Sequence, residues 1–229
     1  MDRIERSVAI DGPSASGKST VARLAAPALN YVYVDSGAFY RGATWKALHD
    51  GLETGDAESL APLLTPDRWS LDVEDGSVRF AIDSIRPGLE LRGAEVREAV
   101  SDVAAVPEVR AFLVRLLRET TRFGAVVMEG RDIGTVVFPE SRFKFYLDAN
   151  PEERARRRLR EIVAMEGRGD VSEVQASLMR RDAKDRSRST APLQIALNAQ
   201  VIDSTSMSAE EVADRVVDFV REAEADAHG

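Results

Sequence analysis

The fold class this sequence predicts is a three-layer α/β/α architecture, a central parallel sheet covered by helices on both faces. Three observations predict it. A short β-rich stretch at residues 7–10 runs into residues 12–19, which fit the pattern G-x-x-x-x-G-K-[ST], and Val21, Leu24, Ala25 and Ala28 follow at helical spacing. Further apolar runs of buried-strand length alternate with helical periodicity, as crossovers between parallel strands require. One segment breaks the alternation. Residues 69–73 and 78–82 both alternate apolar and polar around Glu74-Asp75-Gly76-Ser77, the signature of an antiparallel hairpin inside an inserted lobe.

The remaining elements follow in order. Residues 31–34 read as a second strand ending at Asp35-Ser36-Gly37, and a helix runs through Tyr40, Ala43, Trp45 and Leu48. Residues from about 51 to 68 read as loop and short helix. Val96, Val100 and Val103, then Val109, Phe112, Leu113, Leu116 and Leu117, mark helices beyond the hairpin. Residues 125–128 and 143–147 are buried-strand runs. Asn150-Pro151-Glu152-Glu153 opens a helix with a cap, a proline at the first position and a carboxylate three residues beyond the cap. Residues 199–202 read as the last strand, Ser208-Ala209-Glu210-Glu211 is a capping box, and residues 225–229 are expected to fray.

With 229 residues, 44% hydrophobic and 31% charged, the chain suits one large domain able to bury a core. No apolar run approaches a membrane span, and the N-terminus has no signal-peptide core. The absence of cysteine excludes disulfides and thiolate metal sites and fits a cytoplasmic protein, while His49 and His228 are too scattered for a histidine metal centre. A net charge of −8 argues against general nucleic-acid binding. Charge is nonetheless uneven: residues 154–188 carry eleven basic side chains against six acidic ones, an excess that suits a small anionic ligand, although half of those arginines fit a solvated helix face.

The chemistry begins in the loop. Its glycines let consecutive amides aim inward, the helix start adds positive potential, Lys18 brings a point charge for the outer phosphates of a nucleoside triphosphate, and the Ser19 hydroxyl suits Mg²⁺. Lys18 is expected to be an exposed loop charge. No N-K-x-D motif follows, so a GTPase is disfavoured. A small kinase needs a second phosphate site and an arginine-rich lid, and Asp35-Ser36-Gly37 with Tyr40-Arg41, Arg131-Asp132, and Arg180-Arg181-Asp182 through Arg188 are the candidates.

At these residues the chain resembles the bacterial cytidylate kinases, within the phosphate-loop nucleoside monophosphate kinases. The resemblance rests on Ile10-Asp11-Gly12-Pro13-Ser14, Asp35-Ser36-Gly37-Ala38 with Tyr40-Arg41, the block from Gly130-Arg131-Asp132-Ile133 to Phe138-Pro139, and Arg181-Asp182, Asp185-Arg186 and Ala191-Pro192-Leu193. It spans residue 10 to about 205. It departs at Ala15-Ser16, where Gly-Ala is more usual, and at Glu129, where an aspartate is often found.

The resemblance implies transfer of phosphate from ATP to CMP or dCMP with Mg²⁺. It implies a core of about 1–35, 105–150 and 190–229, a monophosphate-binding part with an enlarged insert at about 36–104, and a helical lid at about 155–190. ATP would lie on Gly12, Pro13, Ser14, Ala15, Ser16, Gly17, Lys18, Ser19 and Thr20, with Ser19 on the metal. CMP would lie against Ser36, Arg41, Ser101, Arg110, Arg131, Asp132, Arg181, Asp185 and Arg188. Lys18, Arg131, Arg181 and Arg188 would be the catalytic cations. Spacing alone favours a solvated face for Ser101 and Arg110; the resemblance places them on the base. Asp11, Asp35 and Glu129 all stand as carboxylates for the metal sphere. The rival readings are a kinase for UMP, AMP or dTMP, and a non-catalytic ATP-binding module; a nucleic-acid-dependent ATPase is weaker. The partners expected are small nucleotides, with no nucleic acid or membrane, for a monomeric protein.

Overall fold

The computed structural model describes residues 2–226. After a single turn, α1 (Arg3–Arg6), the chain forms β1 (Val8–Asp11), α2 (Lys18–Ala28), β2 (Val32–Asp35) and α3 (Ser36–His49). A short helix α4 (Ala57–Leu60) and two 3₁₀ turns lead to the hairpin β3 (Trp69–Glu74) and β4 (Ser77–Ile82). Then come α5 (Ala94–Val103), α6 (Pro107–Glu119), β5 (Val126–Gly130), β6 (Phe143–Asp148), α7 (Pro151–Glu166), α8 (Val171–Ser187), β7 (Gln200–Asp203) and α9 (Ala209–Asp226).

The strands make one seven-stranded sheet in the order β3-β4-β2-β5-β1-β6-β7, parallel except for the β3–β4 pair. Strands β1 and β5 are buried at every position, as central parallel strands covered on both faces must be. Their residues alternate between two cores. Val8, Ile10 and Val127 pack with α2 and α9 on one face; Ala9, Val126 and Met128 pack with α3 and α6 on the other. The hairpin expected in an inserted lobe forms, and it is continuous with the sheet, joined through the Tyr33–Ser77 register. Phe80 explains why: its ring packs at a tilt against Phe39 of α3 and Trp69 of β3, so the insert shares the main core.

Helix boundaries follow side-chain chemistry. Asp35 caps α3 by accepting from the Ala38 amide, so Ser36 and Gly37, read as the end of a strand, open a helix. Asn150 caps α7 as expected, but the Glu153 carboxylate turns to Arg157 instead of closing a capping box. The Ser208–Glu211 box forms in both directions. Helix α9 continues through Ala225 and Asp226, which were expected to fray; the rest of that stretch, with His228, lies outside the described residues. Among the described residues no helix is long and apolar enough to cross a membrane.

Candidate active site

The carboxyl ends of β1, β2 and β5 open into a cleft of about 400 Å³, where ligands of parallel α/β sheets bind. Its floor is the glycine-rich loop. Gly12 sits at φ +150°, and a Cβ there would lie 2.0 Å from the Leu147 carbonyl oxygen, so no other residue fits against β6. Gly17 is left-handed at φ 95° and starts α2, its carbonyl accepting from the Thr20 and Val21 amides, so the helix N-terminus faces the loop. Ala15, where glycine is more usual, is also left-handed at φ 60°, a geometry that costs an alanine roughly 1–2 kcal/mol.

Lys18 is buried rather than exposed as expected, being 4% accessible, and its Nζ donates to the Pro13 carbonyl at 2.6 Å. Burial first, and then the nearby Arg131 guanidinium, push its ammonium down to about 7. The Ser19 hydroxyl donates to Glu129 Oε1 at 2.6 Å. Burial, then the like charge of Asp35, push the Glu129 carboxyl up. The other carboxylates are engaged elsewhere. Asp11 accepts from the Ile133 and Gly134 amides at 2.8 and 2.7 Å, and its burial lifts it to about 7. Asp35 accepts from the Ala38 amide and from Arg41 at 2.8 Å; burial would raise it, but Arg41 and that amide hold it below the usual carboxylate range. The three candidates for the metal sphere thus part company, because only Glu129 keeps an oxygen beside Ser19.

The opposite wall is built from paired charges. Arg131, just past β5, donates from Nε to Asp185 of α8 at 3.0 Å. Burial works against the Asp185 charge, yet Arg131, Arg181 and Arg188 hold its carboxyl low. Asp132 turns the other way and pairs with Arg110 of α6, both buried, with the Arg110 guanidinium 5.3 Å over the Tyr40 ring. Asp132 therefore braces Arg110, not Arg131. Arg188 donates to the Ala191 carbonyl at 2.7 Å. Burial and then Arg110 lower its proton affinity. Burial, then Arg131, bring Arg181 down to about 10. Tyr40 Oη, Arg188 Nη2, Arg110 Nε and Arg41 Nε are buried without hydrogen-bond partners, so this end presents polar atoms that a ligand could satisfy.

Ser14, Ala15, Gly17, Lys18, Ser19 and Thr20 line the cleft with Ser36, Arg41, Ser101, Arg110, Arg131, Asp132, Arg181, Asp185 and Arg188. Gly12, Pro13 and Ser16 do not; they shape the loop from behind, as the Lys18–Pro13 bond illustrates. Ser36 forms part of the cleft floor and is largely buried there, its hydroxyl donating to the Glu129 carbonyl at 2.7 Å. Arg23, Arg92 and Arg97 also line the cleft and were missed, since lone arginines on helix faces carry no local signal. Arg154 and Arg157, within the basic run of residues 154–188, bond to the loop carbonyls of Ser14 and Ser16. Of the arginines in residues 154–188, Arg158, Arg181 and Arg188 reach the cleft.

A glycine-rich loop between β1 and α2, facing arginines from α3, α6, α8 and the end of β5 across one cleft, defines a phosphate-loop phosphotransferase. The comparisons specify which. The family model described as cytidylate kinase matches residues 8–222. Curated cytidylate kinases are similar along nearly the whole chain. That of Geobacillus kaustophilus is 43% identical over 94% of this chain and 96% of its own. Those of Pelotomaculum thermopropionicum (42%, covering 92% and 93%) and Streptococcus agalactiae (41%, covering 94% and 93%) are close behind. The chain belongs to the cytidylate kinase family, kinases that phosphorylate CMP or dCMP with ATP.

Proposed function

We propose that this chain transfers the γ-phosphoryl group of ATP to CMP or dCMP, giving ADP and CDP or dCDP, with the donor on the glycine-rich loop and the acceptor against the opposite wall. One observation carries the reading. Ten basic side chains and five carboxylates line a single cleft, and Lys18 and Arg181 within it hold their protons less tightly than usual. A site with such an excess of crowded cations suits a nucleoside triphosphate facing a monophosphate.

The acceptor phosphate is already largely ionised near neutral pH, so positioning and charge neutralisation do the work and no strong base is needed. Lys18 and the loop amides hold the donor phosphates. Arg41 and Arg131 grip the acceptor phosphate as planar forks, with Ser36 beside them and Arg181 on the transferring group. Arg110 and Ser101 donate to the cytosine ring, Asp132 accepts from its exocyclic amine, Asp185 takes the sugar hydroxyls and Arg188 closes over them. The Ser19 hydroxyl and the Glu129 carboxylate, 2.6 Å apart, are the hard oxygen donors Mg²⁺ takes, few enough to leave room for phosphate and water. Bound there with ATP, Mg²⁺ supplies charge neutralisation at the β- and γ-phosphates.

The reading includes closure. The acceptor part (36–104) and the lid (155–190) would move together over bound nucleotides and exclude water, and the Lys184–Asp102 ion pair, 2.9 Å between α8 and α5, already spans them. Hydrogen exchange should show new protection in both segments when CMP and an ATP analogue are bound. It also includes a monomer in the cytoplasm, without nucleic-acid or membrane partners, which suits the −8 net charge and the absence of cysteine. The deciding experiment is a panel of CMP, dCMP, UMP, AMP and dTMP with ATP. CMP and dCMP should turn over fastest, and preference for UMP, AMP or dTMP would overturn the assignment.

A further inference from the structure

We infer that Asp182, paired with Arg154, is a positioning residue that holds the glycine-rich loop and the arginine-bearing helix α8 in one fixed register. The inference rests on the donor role proposed for that loop. Asp182 lies inside α8, is 4% accessible, and accepts from the Ser14 amide at 3.2 Å through Oδ1. Its other oxygen accepts from Arg154 Nη1 of α7. The same nitrogen donates to the Ser14 carbonyl at 3.1 Å, and Arg154 Nε donates to the Ala149 carbonyl, also at 3.1 Å, just past β6. Both backbone polar groups of Ser14 are therefore held by one buried ion pair whose members come from two helices.

A buried pair of this kind is a poor device for stability alone. Its desolvation offsets its attraction, and an apolar pair of similar bulk would serve as well. What an apolar pair cannot do is bind the Ser14 N–H and C=O together. The pair also fixes the rotation of α8. At about 100° per residue, Arg181 and Asp185 lie about 100° and 60° to the same side of Asp182, so seating Asp182 on the loop turns both towards the cleft. Both line that cleft. The acceptor side has its own tie, the Arg131–Asp185 bond, and does not depend on Ser14. Asp182 should therefore matter for the donor and for turnover more than for CMP.

The test is the double variant Arg154→Met/Asp182→Leu, which supplies the bulk and removes the polar seat. It is expected to melt near the wild-type temperature, with kcat lower by about 10²-fold, the KM for ATP raised about 10-fold and the KM for CMP within about 3-fold. A folded double variant with wild-type kcat and wild-type KM for ATP would reduce the pair to a structural role and overturn the inference, as would a KM for CMP raised as much as that for ATP. Should the double variant not fold, Asp182→Asn keeps an oxygen for the Ser14 amide and is expected to retain more kcat than Asp182→Ala; equal kcat in those two overturns it. Wild-type protein inactive on CMP would instead sink the functional reading beneath it.

Discussion

At the end of the cleft proposed for the donor, the lining is one short loop, Ser14 to Thr20 without Ser16, shaped by backbone geometry, and its lysine, Lys18, leans on the Pro13 carbonyl. At the acceptor end the surface is side chains brought from α3, α6, α8 and the end of β5, and three of its arginines rest on carboxylates: Arg41 on Asp35, Arg110 on Asp132, and Arg131 on Asp185. The difference shows in the titration behaviour. The Arg131 charge is secured, because Asp185 and Glu129 outweigh the burial that would weaken it, whereas Lys18 is brought down to about 7. Arginines resting on carboxylates are held in place and wait for a ligand to share them; Lys18, with no ion pair among the described residues, is placed to take up a proton with its ligand.

The sharpest break of that contrast is Lys18→Ala. Removing the loop's own lysine charge should lower kcat by about 10³-fold, as loss of a preorganised charge at the reacting phosphates does. Thermal stability should hold or rise slightly, because a buried cation without a carboxylate partner is removed. A folded variant with near-normal turnover would remove Lys18 from the chemistry. Next in size is Glu129→Gln, which keeps the Ser19 hydrogen bond and removes the charge. Half-saturation by Mg²⁺ in the kinase assay should rise about 10- to 100-fold, in the range typical for loss of a group that supports a metal site. An unchanged Mg²⁺ curve would move the metal-sphere role to another carboxylate.

The same contrast explains how much of the molecule was legible in the sequence. The donor loop is local, so spacing alone located it, and burial on both faces of β1 and β5 made the parallel sheet equally plain. Helix capping was readable at Asn150 and Ser208 for the same reason. The acceptor wall is not local. Arg110 and Asp132 lie 22 residues apart and meet only because α6 packs beside the end of β5. Arg131 and Asp185 are 54 apart. Spacing placed Arg110 on a solvated face, and only resemblance to a family placed it in a site. Nothing local indicated that the hairpin would extend the main sheet, or that Arg154 and Asp182 would be buried together.

At the acceptor end, Asp132→Asn tests whether the pair with Arg110 reads the base. CMP offers an amine donor at C4 and an acceptor at N3, and UMP reverses both, so a carboxylate opposite C4 with a guanidinium opposite the ring rejects UMP. The variant should narrow the CMP-to-UMP ratio of kcat/KM by at least ~10-fold, about 1.4 kcal/mol. It should also melt earlier, since it leaves the buried Arg110 without its counter-charge. A lower melting temperature with an unchanged ratio would make Asp132 a brace for Arg110 and nothing more.

The smallest effect returns to the donor end and to the unpaired lysine. With its ammonium at about 7 in the unliganded cleft, Lys18 is mostly neutral at pH 8 and mostly charged at pH 6. Donor phosphates favour the charged form, so the bound pKa lies well above the free one. Affinity for ATP should therefore be complete below about pH 7 and decline as pH rises, by a little under tenfold (about eightfold) between pH 7.5 and 8.5, where ATP itself has finished ionising. Binding at pH 8 should take up nearly one proton, measurable as a buffer-dependent heat by calorimetry, and Lys18→Met should abolish both the slope and the proton. Bare stability should run the other way. The unfolded chain, with an ordinary lysine near ~10.4, binds more protons than the folded one between about pH 7 and 10, so this group makes the unliganded protein more stable as pH rises through that window. A dissociation constant for ATP that stays flat from pH 7.5 to 8.5 would mean that Lys18 keeps its proton without a ligand, and that the two ends of the cleft do not differ in the way their charges are held.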